Sequence, residues 1–125
     1  MDSGVLSSFG GNLAAIPDDV LRILRETDRD NFTLIMDTGA WAGAVGATYE
    51  GTSDPSVDMY SYIGQTVSHA TYVRAKIYKI DSGKEEWIDY DRVVKILRAV
   101  NFNGTVSLVF EGVWHNKCDD KESIR

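Results

Sequence analysis

Residues 70–80, ATYVRAKIYKI, alternate Val73, Ala75 and Ile77 with Tyr72, Arg74, Lys76 and Tyr78. A two-residue period of this kind predicts a strand. Upstream, Ile16, Val20, Leu24 and either Ile23 or Thr27 recur at helical spacing. Pro17 suits a first helical turn and Asp18 and Asp19 favour a helix N-terminus, so a helix is predicted over 17–26. NFTLIMD, residues 31–37, is an apolar run too brief for a helix and predicts a strand covered on both faces. Val57, Tyr60, Ile63 and Val67 return to helical spacing, with Asp54 as the expected N-cap and Pro55 as the first helical residue. A third helix follows, with Val93, Val94, Leu97 and Val100 on one side and Asp89 as N-cap, and GTVSLVF is a last strand. GVLSSF, residues 4–9, is a weaker strand signal.

Strands and helices therefore alternate, which predicts an α/β fold of parallel strands joined by right-handed crossovers, with no internal repeat and no linker. The loops expected after strands, 37–54 and 81–88, are long. Those after helices, 27–31, 68–70 and 101–104, are short. In α/β proteins ligands sit beyond the C-terminal ends of the strands, and long loops mark that side. Asp37, Lys76 and Glu111 all fall at such strand ends.

Composition narrows the partners. The 125 residues are enough for one domain, and a formal charge of −6 argues against nucleic acid or an anionic membrane, either of which would need a basic patch. A single cysteine, Cys118, allows neither an internal disulfide nor a cysteine-built metal site. There is no apolar stretch long enough to span a bilayer and no signal-peptide pattern at the start, so a cytoplasmic protein is expected.

Three features invite chemistry. GAWAGAVG puts Gly39, Gly43 and Gly46 after a strand, but the spacing is not GxGxxG, so a flexible loop presenting Trp41 to a substrate is expected rather than a nucleotide cradle. Asp37 reads as a metal ligand, a holder of a substrate hydroxyl, or a turn residue. Arg74 and Lys76 lie on one face of a strand in a parallel context, where both faces should be covered. They must then meet a polar cavity or carboxylates, and Glu111, on the face of Ser107 and Val109, is the natural partner. No chemistry is expected of His69 or His115, which lack zinc spacing and a serine–acid partner.

DNFTLIMDTGAW and YVRAKIYKIDSGKEEWIDYDRVVKILRAVNFNGTVSLVFEG, with DTG, AK, IDY and FEG in that order, resemble the C-terminal half of the sugar phosphate isomerase/epimerase family, which has the xylose-isomerase-like TIM-barrel fold. The likeness runs from about Asn12 to Gly112. It implies that the chain is a single partial barrel domain, residues 1–125, made of about four βα units with 113–125 as a polar tail. The family holds a divalent cation with two glutamates, an aspartate and a histidine. By resemblance Asp37 matches the aspartate, whereas Arg74 stands at the histidine position, Val109 at one glutamate position and Ser7 near the other. Lys76 matches a lysine often found after that histidine. A cation at Arg74 repels a metal and valine cannot coordinate one, so of the expected ligands only Asp37 is retained.

The resemblance implies a sugar or sugar-like small molecule as ligand, and isomerase or epimerase chemistry by proton transfer beside a carbonyl. Here Glu111 would be the base, Lys76 and Arg74 the electrophile, and Asp37 would orient a hydroxyl. Four strands with open edges also imply a homo-oligomer, a second chain that completes the barrel, or a shortened gene product. The alternative function is a non-catalytic binding module or one subunit of a split or dimeric barrel, and a small doubly wound domain of unrelated function is the third reading.

Overall fold

A computed structural model describes the backbone of residues 4–7 and all atoms of residues 16–112. Among these, four strands form one sheet: β1 (Gly4–Ser7), β2 (Phe32–Asp37), β3 (Ala70–Ile77) and β4 (Thr105–Phe110). They lie side by side in chain order and every neighbouring pair is parallel. Three helices connect them: α1 (Pro17–Thr27), α2 (Met59–Thr66, continued by the 3-10 turn Val67–His69) and α3 (Tyr90–Ala99).

A sheet whose order never reverses carries its right-handed crossovers on a single face. The core agrees. Val20 of α1, Ile63 of α2 and Val93 of α3 bury together with Leu34 and Met36 of β2 and Val73 of β3. A doubly wound sheet would need a reversal of strand order, and this one has none.

Each element follows from its sequence, with one correction. Helix α1 starts at Pro17 with Asp18 and Asp19 in its first turn, and closes at Asp28 in the left-handed conformation (φ 43°), whose N–H donates to the Leu24 carbonyl at 3.1 Å. Helix α3 is capped by Asp89, which accepts from the Arg92 N–H at 3.2 Å. Helix α2 does not start at Pro55. The Asp54 carboxylate is taken up by Ser56, accepting from its N–H at 2.8 Å and its hydroxyl at 2.7 Å, and this local turn ends before the helix. Asp58 is the cap instead, accepting from the N–H groups of Tyr60 and Ser61.

Strand faces are as the alternation requires. Val73 and Ala75 pack beneath the helices, and Arg74 and Lys76 face the opposite way, in register with Ser107 and Val109 of β4. The expected covering of both faces fails at β4. Leu108 is 77% exposed and Val106 47%, beside an apolar groove bounded by Ala75, Val94 and Leu97. The polar tail 113–125, with His115 and Cys118, and the side chain of Ser7 lie outside the described residues.

Candidate functional site at the strand ends

Three neighbouring strands deliver charged groups to one place. Asp37 is the last residue of β2, Lys76 the penultimate residue of β3, and Glu111 follows β4 directly, held there by its N–H donating to the Ile77 carbonyl at 2.8 Å. The Lys76 ammonium donates to Glu111 Oε1 and lies 3.6 Å from Asp37 Oδ2. Arg74, one strand period earlier, brings its Nε to 3.8 Å from the same Asp37 oxygen. The other oxygen of Asp37, Oδ1, accepts from the Gly39 N–H at 3.0 Å, which fixes the carboxylate against the loop it begins.

Accessibility divides the cluster in two. Asp37 is 1% and Lys76 4% exposed, whereas the side chains of Arg74 and Glu111 keep 27% and 26% of their surface. Burial pushes the Asp37 carboxyl above the ordinary aspartate range, against the pull of Lys76, the Gly39 N–H and Arg74 in that order. A ligand arriving from the strand ends therefore meets Arg74 and Glu111, with the Lys76 and Asp37 charges behind them. Lys76, read from the sequence as an electrophile, is covered here and paired with Glu111, the carboxylate partner that the strand pattern predicts.

Trp41 is not part of this cluster. It is fully buried in the hydrophobic core, edge-on to Tyr62 at 5.8 Å, and its indole N–H has no hydrogen-bond partner among the described residues. The loop was expected to present Trp41 to a substrate, whereas here the ring is packed into the core and offers no exposed surface. The glycine loop has a packing role as well. A side chain at Gly39 or Gly46 would collide with the ring of Tyr78, which is itself buried and stacked on Trp87 at 5.3 Å. These glycines let the backbone close over a tyrosine, not a phosphate.

Sequence reasoning missed the groups that hold the cluster in place. The Lys76 N–H donates to Thr38 Oγ1 at 3.0 Å, and the Tyr90 hydroxyl donates to the Lys76 carbonyl at 2.5 Å. The 3.1 Å contact between the Thr38 and Tyr90 hydroxyls must then use the threonine proton, because the tyrosine has spent its own. Backbone and two side chains thus form a closed ring around Lys76. Glu85 does similar work one turn further on, accepting from the N–H groups of Tyr78, Lys79, Trp87 and Ile88. The phenols of the buried Tyr78 and the half-buried Tyr90 are both held above the usual tyrosine range, chiefly by desolvation. Thr38 was within reach, since it lies inside the DTG motif; Glu85 gave no periodic signal.

The chain can be placed by comparison once this geometry is in view. Neither a protein-family model nor a curated protein sequence matches it. Among solved structures it is similar to D-psicose 3-epimerase from Clostridium cellulolyticum H10, a structure that includes D-tagatose, with a TM-score of 0.62 and 14% sequence identity. The superposition covers 95% of this chain and 43% of the epimerase, so the chain spans less than half the length of that protein. The fold is that of a partial TIM barrel. Strands β1 to β4 and their outer helices make up that part of the barrel, and the charged cluster sits at the strand ends where barrels of this kind place their ligands.

The divalent metal implied by the resemblance does not fit these residues. No group of three or more histidine, cysteine, aspartate or glutamate side chains converges among the described residues, and the two carboxylates that do converge hold a lysine between them. No helix among the described residues is long and apolar enough to cross a membrane.

Proposed function

We propose that this chain is a sugar isomerase/epimerase-like half barrel that binds, and by proton transfer interconverts, a sugar or sugar phosphate at the C-terminal ends of its strands. One observation supports this above the others: Asp37, Lys76 and Glu111 converge there from three adjacent strands, with Arg74 beside them, on a fold like that of an epimerase. Glu111 is the group with both the chemistry and the access to remove a proton beside a carbonyl. Arg74 is the accessible cation that would take the developing enediolate oxygen. Lys76 and Asp37 are positioning residues. Lys76 keeps the Glu111 carboxylate in place, and Asp37 holds both cations on the inner side of the sheet.

Deuterium exchange tests the reading. The purified chain, alone and with a chain supplying the other barrel half, is incubated in deuterated water with D-tagatose, D-psicose and their phosphates, and label on the carbon beside the carbonyl is read by NMR. Exchange that disappears in Glu111→Gln supports it. Exchange into none of a broad panel of ketoses and aldoses sinks it.

A second reading is favoured by the exposed Leu108 and Val106 and by strands β1 and β4, each of which has one strand neighbour among the described residues. In it the chain is a non-catalytic binding module or one subunit of a split or dimeric barrel. It predicts a dimer or a heteromeric complex by light scattering, and a well-behaved monomer speaks against it.

A further inference from the structure

We infer that Lys76 and Arg74 together take the place of a divalent cation at the strand ends, so that this chain neutralises its two converging carboxylates with its own side chains and does not recruit a metal. The inference goes beyond the sugar reading, because it concerns how the site is charged and holds whether or not a sugar is turned over. The carboxylates arrive from either side of β3: Asp37 ends β2 and Glu111 follows β4. Two carboxylates brought together this way are what a hard divalent ion binds, and without a cation between them they repel. Here the strand between them supplies one. The Lys76 ammonium donates to Glu111 and lies 3.6 Å from Asp37 Oδ2, and the Arg74 guanidinium reaches the same oxygen at 3.8 Å. With both carboxyls ionised, two negative charges meet two positive ones.

A metal ion entering this site would stand beside two cations. It would also have to displace a lysine that is 4% exposed and whose own backbone is locked by Thr38 and Tyr90. Both costs are local, and neither is recovered elsewhere, since no further acidic, cysteine or histidine ligands converge among the described residues. The position of Arg74 is telling in the same way. The sequence resemblance puts a metal-binding imidazole there, and this chain has put a fixed positive charge in its place.

Mn2+ titration by calorimetry tests the inference on the full chain. Wild-type protein is expected to bind no stoichiometric Mn2+ up to millimolar concentration. Arg74→His combined with Lys76→Ala removes both cations and adds a nitrogen donor, and is expected to bind one Mn2+ per chain at least tenfold more tightly than wild type. Adding Asp37→Asn should take that binding away. Stoichiometric, Asp37-dependent Mn2+ binding by wild type overturns the inference, as does a double variant that is folded by circular dichroism yet binds no better than wild type. Should the double variant not fold, reductive methylation of wild-type protein read by mass spectrometry decides. Lys76 is expected to stay unlabelled with 10-fold excess Mn2+ present while the 78%-exposed Lys84 side chain labels freely, and labelling of both at one rate overturns it.

Discussion

Strands β3 and β4 run side by side in continuous register from Tyr72 opposite Thr105 to Ile77 opposite Phe110, and each puts apolar residues on its helix-side face, yet they end in opposite states. In β3, Val73 and Ala75 are sealed beneath the helices, and on the other face Lys76 is sealed among carboxylates. In β4 the residues paired with Val73 and Ala75, namely Val106 and Leu108, are largely exposed. Alternation assigns a residue to a face; whether that face is covered depends on what lies beyond the next strand. Strand β3 has a neighbour on both sides, whereas β4, among the described residues, has one.

The comparison breaks hardest at Lys76. Replacing it with alanine leaves Asp37 buried and removes the cation that bridges it to Glu111. Loss of one partner from a buried ion cluster costs about 3–5 kcal/mol, so Lys76→Ala should lower the free energy of unfolding in urea by that much. Arg74→Ala, at a more exposed pair, should cost about 1 kcal/mol or less. If the two cost the same, the inner end of β3 is no more buried than a surface, and the contrast with β4 collapses.

The next largest effect concerns the loop that closes over β3. A methyl group at Gly46 would stand on the Tyr78 ring, so Gly46→Ala should cost about 1–3 kcal/mol by overpacking. A double-mutant cycle with Tyr78→Phe sharpens the point, because removing the hydroxyl should recover part of the loss while the neighbouring Gly39 carbonyl keeps the rest. Full additivity would mean that the ring and the loop do not meet.

Acidity gives a third test. Burial holds the Asp37 carboxyl above the ordinary aspartate range, so the folded chain binds that proton more tightly than the unfolded chain does. Between the ordinary value and the raised one the folded state carries the extra proton, and stability must therefore fall as pH rises through that window. Below the ordinary aspartate value the Asp37 contribution is fully present. Asp37→Asn lacks the group, so the stability of wild type relative to this variant should decline as pH rises across the window and then level off. A relative stability that climbs with pH would show that Lys76 and Arg74 outweigh desolvation.

These tests also mark where the sequence was legible. The two-residue period of β3 put Arg74 and Lys76 on one face and Val73 and Ala75 on the other, because the pleat leaves no alternative. The FEG motif put Glu111 on the same face, one period beyond Val109. Caps were half legible: Asp89 was read correctly, but Asp54 was read as the cap of α2, whereas its carboxylate is taken up by the N–H and hydroxyl of Ser56 and Asp58 caps the helix. Trp41 and the glycines misled for a different reason. A glycine-rich loop with an aromatic residue looks the same in sequence whether it opens to a ligand or folds onto a buried Tyr78, which approaches it from 32 residues further along the chain. Thr38 and Tyr90 were silent because their role is to satisfy backbone groups of Lys76 across the structure, and no local pattern records that.

The smallest expected effect is the one that separates the two functional readings. At 77% exposure Leu108 gains little from folding of the chain on its own, so Leu108→Ser should change its stability by less than about 0.5 kcal/mol. If a second chain covers β4 and completes the barrel, the same leucine becomes interior to the assembly, and burying a leucine side chain contributes about 1.5–3 kcal/mol. Leu108→Ser should then weaken association by roughly tenfold or more while leaving the separated chain unchanged, measured by sedimentation over a concentration series against urea unfolding of the monomer. An effect on the monomer as large as that of a core leucine would mean that β4 is already covered by its own chain. In that case the contrast between β3 and β4 belongs to the described residues alone and not to the whole protein.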